Sequence, residues 1–203
     1  MKLSVVTPLW QDRPAAENME VAIAADKLGF SELWIGEMAT YDAFSFATAV
    51  GHQTHQIDLT VGPLAVSVRT PMNMAMGIAS VADLTGRPTN LAIGASSVVV
   101  VEEWHGQNRQ RTATHLAETA QITKLLLSGE KVDFVGELAS CQGYRLRLAA
   151  PGTAITIAAF GAAAVRAAAR HADRMVLNMV TPASLAMLRQ QMEEAAAQAG
   201  RPA

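Results

Sequence analysis

Short runs of β-branched and aliphatic residues alternate along the chain with longer stretches whose apolar positions recur every three or four residues. The short runs have the length of buried strands and the long ones have a helix's period, so the pattern predicts repeated strand–helix units. Leu3–Thr7 reads as the first strand, and a helix follows from about Arg13 to Leu28, ended by Gly29 as a left-handed cap. Glu32–Ile35 is the second strand, and Asp42 caps a helix reaching about Thr54. Asp58–Val61, or a little beyond, is the third. Thr70 then caps a helix with Pro71 at its first position, where the missing N–H does no harm, and Met74, Ile78, Val81 and Leu84 give it one apolar stripe. Asn90–Ile93 is the fourth strand, and the next helix runs from about Thr112 to Leu127 with Leu116, Ala120, Thr123 and Leu127 on one face. Residues 130–148 form an excursion in which VDFVG and YRLRL pair as a small hairpin. Ile155–Ala158 is the fifth strand, Gly161 opens a helix to His171, and Met175–Asn178 is the sixth. Thr181 and Pro182 start a last helix with Leu185, Leu188 and Met192 inward, stopped by Gly200 and Pro202.

Six such units without a linker predict one α/β domain over residues 1–203 with a parallel sheet. An open doubly wound sheet suits a chain of this length, whereas a (β/α)₈ barrel typically needs about 250 residues and two more units. Length alone favours the open sheet. Composition narrows the function classes: 50% of residues are apolar, 17% are charged and the net charge is −2, as in a globular chain with ample core. No basic stripe speaks for nucleic acid, no apolar run is long enough to span a membrane, and MKLSVVTPLW lacks a signal-peptide core. The single cysteine, Cys141, excludes an internal disulfide and fits a reducing cytoplasm.

The chemistry concentrates between Leu59 and Gly106, because residues just past the carboxyl ends of parallel strands line the ligand crevice. These positions hold Gly62-Pro63-Leu64-Ala65, Arg69, Ala95-Ser96-Ser97 and Trp104-His105-Gly106. Small residues with free N–H groups and hydroxyls at 95–97 suit a phosphate, and Ala159-Phe160-Gly161 opens a helix whose amino end favours an anion. Read structurally, the same loops are strand–helix turns, and Glu37 is a carboxylate paired with an arginine such as Arg69. His105 reaches either a ligand or its own loop, and Asn178 either faces the mouth or satisfies backbone groups. Leu9, Trp10 and Phe44 add apolar wall to a small-molecule pocket or belong to the core. His52, His55, His115 and His171 lack ligand spacing, and no metal site is expected.

The pieces GFSELWIGEMATYDAF, VGPLAVSVRTPMNMAM, LTGRPTNLAIGASS, EEWHG, AAFGAAAVRAAARHADR and MVLNMVTP resemble, in order, the luciferase-like flavin and deazaflavin oxidoreductases. The resemblance is strongest to the actinobacterial subgroup that uses coenzyme F420, and it implies a TIM barrel rather than the open sheet. It implies that a bulge at Gly62–Ala65, with a non-prolyl cis bond at Leu64–Ala65, supports one face of the cofactor ring. It implies further that Ala95, Ser96, Ser97, Ala159, Phe160 and Gly161 hold the phosphate end, with Arg69 near the tail. Glu37 and His105 become the candidate catalytic groups, and Trp10, Met38, Phe44 and Asn178 the substrate pocket. Some F420-dependent relatives carry a proton-transferring histidine where this chain has Met38, so chemistry that relies on it is not expected here. The implied activity is hydride transfer between F420 and an organic substrate. The alternatives are an FMN-dependent monooxygenase, a non-catalytic flavin-binding protein and an inactive fragment. The resemblance also implies a homodimer through the early helices. Relatives continue past a helix like Leu185–Ala199 with two further units, so the chain is expected to be either a truncated product or a short relative with an incomplete barrel. An unclosed barrel leaves strand edges unpaired, which implies closure by another segment or subunit, or poor stability.

Overall fold

The structure is a computed structural model that describes residues 2–8, 14–37 and 39–201. Its elements are β1 (Ser4–Val6), α1 (Glu17–Lys27), β2 (Glu32–Ile35), α2 (Ala43–Gln53), β3 (Asp58–Ala65), α3 (Pro71–Thr85) and β4 (Thr89–Gly94). After a π-helical turn at Val99–Trp104 come α4 (Thr112–Leu127), β5 (Lys131–Val135), β6 (Ser140–Arg145), β7 (Ile155–Ala158), α5 (Ala162–His171), β8 (Arg174–Val176) and α6 (Pro182–Gln198).

Six strands form one parallel sheet in the order β1-β2-β3-β4-β7-β8, and β5 with β6 forms the antiparallel hairpin of the excursion. A doubly wound sheet reverses its strand order at a switch point. This sheet never reverses, and each helix packs on the next, which is the construction of a barrel wall. The strands alternate accordingly. Leu33, Ile35, Leu59, Val61, Leu91, Ile93, Ile155 and Ile157 are buried under the helices, while Glu32, Trp34, Thr60, Thr156 and Arg174 share the opposite face. That opposite face is concave. A flat sheet would hold β2 and β8 about 19 Å apart, yet Arg174 Nη1 donates to Glu32 Oε1 at 2.8 Å. The fold is thus a partial TIM barrel, and the resemblance outweighs the length argument.

Several sequence expectations shift. α1 begins at Glu17 rather than near Arg13, which lies outside the described residues, as do Leu9, Trp10 and Met38. Gly29 has φ +75 and closes the helix as expected. β6 is Ser140–Arg145, so only Tyr144 and Arg145 of YRLRL enter the hairpin, and β8 starts one residue early. Leu84 is 60% exposed because it sits about 80° around the helix from Met74 at 3.6 residues per turn. Leu185 is also exposed: among the described helices α6 packs chiefly on α5.

Two buried carboxylates tie loops to helices. Asp26, near the end of α1, accepts the backbone N–H groups of His55, Gln56 and Ile57 at 2.9–3.0 Å. Glu118 of α4 accepts those of Glu137, Leu138 and Ala139 at 2.8–2.9 Å, pinning the hairpin turn. Burial pushes the Asp26 carboxyl up, but the three N–H donors and Arg87 together pull it below its ordinary value. Its stabilising contribution is therefore present above about pH 4, the unfolded value, and is lost as pH falls through the depressed folded value. Asp26→Ala is expected to cost about 3 kcal/mol near neutral pH. Urea melts of both proteins should show that difference shrinking on acidification; a difference that stays constant to pH 2 would refute the assignment.

Candidate active site

The loops beyond the carboxyl ends of β2, β3, β4, β7 and β8 make the mouth of the half-barrel. β3 prepares its floor. Val61 pairs with Leu91 and Leu64 with Ile93, so two residues of β3 oppose the single Ala92 of β4. This is a β-bulge, as the resemblance implies. Gly62 sits in it at φ +120, and a Cβ there would lie 2.1 Å from the Ala92 carbonyl oxygen. The cis bond is Gly62–Pro63 and not Leu64–Ala65. Proline is the physical reason, since a tertiary amide has little preference for trans. The bulge also changes which side chain faces the mouth. Leu64 is fully buried in the core, so it offers no side chain to a ligand, whereas Pro63 is exposed. A Cβ on Gly94 would meet Pro63 at 3.3 Å and Ala158 at 3.5 Å, so these three residues form a low floor with no large side chain.

One wall is an ion cluster. Arg69, after β3, donates from Nε to Glu37 Oε2 at 2.7 Å and from Nη2 to both Glu37 and Asp42. Glu37 also accepts the Ala43 N–H at 3.2 Å, and Asp42 caps α2 through the Ser45 N–H at 2.8 Å. The guanidinium lies over the Phe44 ring, 5.0 Å from its centre. The Glu37 hydrogen bond, with Asp42, holds the Arg69 proton even more firmly than usual. Burial raises the Asp42 carboxyl, but Ser45 and Arg69 more than offset it and leave it below its ordinary value. Of the two readings of Glu37, the structure displays the pair with Arg69. Phe44 is half-buried on this wall, beside Gly77 of α3, where a Cβ would stand 2.5 Å from the ring.

The opposite side is made of small residues at the ends of β4 and β7. Ser96 is exposed at φ +57, with its carbonyl fixed by Arg109 Nε at 2.8 Å, and the Ser97 hydroxyl accepts the Val100 N–H at 3.2 Å. Ala95 is half-buried between the strand and these serines. Across β7, the Ala159 side chain is buried and its N–H donates to the Val176 carbonyl at 3.2 Å, so Ala159 spaces the strands. Phe160 is 53% exposed. Gly161 begins α5 with no side-chain cap, and nothing stands within 4 Å of where its Cβ would be. The first N–H groups of α5 therefore open toward the mouth, where an anion is favoured. His105 ends the π-helical turn and is exposed, and Asn178 is exposed beside Met179. Trp10 and Met38 fall outside the described residues.

The sequence reading gives Asp42 a capping role alone, gives His115 none, and does not single out Pro63 within Gly62–Ala65. The Gly-Pro pair within a strand is itself a bulge signal. The Nδ1 of His115 lies 3.5 Å from the Ser67 hydroxyl just beyond the bulge, and burial holds its imidazole below the usual value. Nothing in the linear pattern connects residues so far apart.

A family model described as luciferase-like monooxygenase matches residues 1–203. The chain belongs to the luciferase-like monooxygenase family. A Mycobacterium tuberculosis protein named as a coenzyme F420-dependent oxidoreductase is 29% identical over 154 residues, covering 75% of this chain and 43% of its own length. Among solved structures, the coenzyme F420-dependent tetrahydromethanopterin reductase of Methanopyrus kandleri superposes with a TM-score of 0.85 at 19% identity, over 100% of this chain and 63% of that one. The oxygenating constituent of 3,6-diketocamphane monooxygenase from Pseudomonas putida, a type II Baeyer–Villiger monooxygenase in complex with FMN, gives 0.78 at 18% identity over 100% and 64%. The luciferase-like chain thus spans less than two thirds of these relatives, and its structural likeness to them is one of fold.

Proposed function

We propose that this luciferase-like chain carries the cofactor half-site of an F420-dependent oxidoreductase acting on a small organic substrate in a reducing cytoplasm. The observation that carries this reading is the pairing of a side-chain-poor floor with an uncapped helix. Pro63, Gly94 and Ala158 leave room for a flat ring, and the open amino end of α5 at Gly161 faces the end where a phosphate would lie. The bound deazaflavin would supply hydride transfer, chemistry that depends on positioning more than on a protein base. The chain's own task is to hold the ring on the bulge, seat the phosphate at Ser96, Ser97 and Gly161, and keep the mouth's shape through the Glu37–Arg69–Asp42 cluster. The M. tuberculosis relative, named for F420, supports the deazaflavin. A second reading, an FMN-dependent monooxygenase, draws on the P. putida structure with FMN.

Parallel fluorescence titrations with F420 and FMN separate the two, and binding of neither would defeat both. A substitution tests the phosphate seat. Gly161→Asp places a carboxylate at the start of α5, where it caps the helix and should raise stability by about 0.5–1 kcal/mol. The same charge repels a phosphate, so cofactor affinity should fall roughly tenfold to a hundredfold. Tighter or unchanged binding in the stabilised variant would remove α5 from the site.

A further inference from the structure

A second concavity, of about 370 Å³, opens between α4, the hairpin and the last turn of α5. Its walls include Leu125 and Phe134, and its rim carries Lys124, Arg170, His171 and Arg201. Arg170 and His171 end the helix that Gly161 begins, so about 15 Å of helix separates this concavity from the mouth.

The balance of charge there is uneven. Lys124 Nζ pairs with Asp173 Oδ1 at 2.7 Å, and the other Asp173 oxygen accepts the Ile155 N–H at 2.9 Å. Among the described residues no carboxylate stands within ion-pair distance of Arg170 or Arg201. A helix's last turn favours cations, which accounts for Arg170 and His171 but not for Arg201, brought in from beyond α6. Arg201 is held in place rather than trailing. Its N–H donates to the Ala196 carbonyl at 2.9 Å and its Nη1 to that of Ala169 at 3.1 Å. Burial, with Arg170 and Arg201 after it, holds the His171 imidazole below its usual value, which agrees with both guanidinium groups facing that ring.

We propose that this concavity binds a phosphate monoester bearing an apolar body. Two arginines without a carboxylate partner among the described residues match the charge of about −1.5 to −2 on such a group at pH 7, and guanidinium forks suit phosphate oxygens. Phe134 and Leu125 offer an apolar wall beside the charged rim, and the Gln121 amide, whose Nε2 donates to the Ala117 carbonyl at 3.1 Å, has a second N–H for an ester oxygen. An inorganic anion would use the rim alone. The site is independent of the cofactor reading and stands or falls separately.

Phenyl phosphate is the probe, titrated into the full chain while the His171 imidazole resonances are followed by NMR, with inorganic phosphate and phenol in parallel. The expected result is a saturable shift with phenyl phosphate, a rise in the His171 pKa as a dianion reverses the local field, and affinity roughly tenfold above inorganic phosphate. Arg170→Gln, at an exposed position, should weaken binding by about tenfold. Phe134→Ala should erase the preference over inorganic phosphate. Thermal melts establish that each variant is folded, and Arg170→Lys, which keeps the charge and loses the fork, supplies a milder second variant. No saturable shift, equal affinity for inorganic phosphate, or binding indifferent to both Arg170 variants would overturn the proposal.

Discussion

Gly62→Ala is expected to destabilise the protein by more than about 3 kcal/mol and to abolish cofactor binding. The added methyl would stand 2.1 Å from the Ala92 carbonyl oxygen and 2.8 Å from the Leu64 nitrogen, on a backbone at φ +120 that L side chains rarely adopt. Neither neighbour is a side chain that can swing aside. Relief requires β3 to slide against β4, and sliding by one residue exchanges the faces of every side chain beyond the bulge. Leu64, now in the core, would turn to the mouth, and Pro63 would leave the floor. Gly152→Ala is the control, because open space surrounds that position and it lies outside the mouth. Denaturant melts of both variants, with F420 and FMN titrations of whatever folds, decide the point. Near-wild-type stability of Gly62→Ala would mean the bulge is not held as described.

The second large effect belongs to the polar ladder on the concave face. Glu32 accepts from Ser4, Trp34 Nε1, Thr60 and Arg174, and Arg174 also donates to Thr156 and lies over the Trp34 ring. The Glu32 side chain is only 13% exposed, whereas that of Arg174 is 37% exposed. Removing the arginine therefore hurts more than removing the acid. Arg174→Met leaves a nearly enclosed carboxylate with its neutral donors alone and should cost about 3 kcal/mol, and Glu32→Ala about 2. Burial raises the Glu32 carboxyl, but Thr60, Arg174 and Trp34 together bring it below its usual value. Its contribution is thus present above about pH 4.3 and is lost as pH falls through the lower folded value. Thermal melts across pH 3–7 should show the wild type converging on Glu32→Ala in acid. A gap that widens in acid would contradict the ladder.

The strands and most helices were legible because aliphatic residues on one strand face and a three-to-four spacing on the helices are local signals. The mouth was legible for the same reason, since strand ends locate it. The orientation of side chains there was not. A bulge adds one residue and reverses the parity beyond it, and an expected bulge at Gly62–Ala65 does not by itself say that Leu64 turns to the core and Pro63 to the mouth. The Glu37–Arg69 pair was legible as the structural reading of Glu37, and the two follow the neighbouring strands β2 and β3; that Asp42, the cap of α2, joins them was not. Asp26 and Glu118 escaped notice because acidic residues ordinarily mark solvent, and their burial depends on loops folded over them from elsewhere. Val99–Trp104 carries three valines then two glutamates, a run with neither a strand's bounds nor a helix's length. Barrel against open sheet turned on motifs, because periodicity describes each unit and says nothing of the order in which units pair.

The strand order has a consequence for synthesis. Each strand of the main sheet docks beside the one made before it, with the hairpin as the sole detour among the described elements. At about 5–20 residues per second, translation delivers a strand–helix unit every few seconds, far longer than a helix or hairpin needs to form. The wall can therefore be laid down from its first unit onward as it leaves the ribosome, with one exposed edge advancing at a time. The contact between Glu32 and Arg174, 142 positions apart, becomes available only when β8 emerges. That late pairing is the point at which a growing ribbon acquires its permanent curl, and hydrogen exchange on stalled nascent chains of increasing length should place the step there.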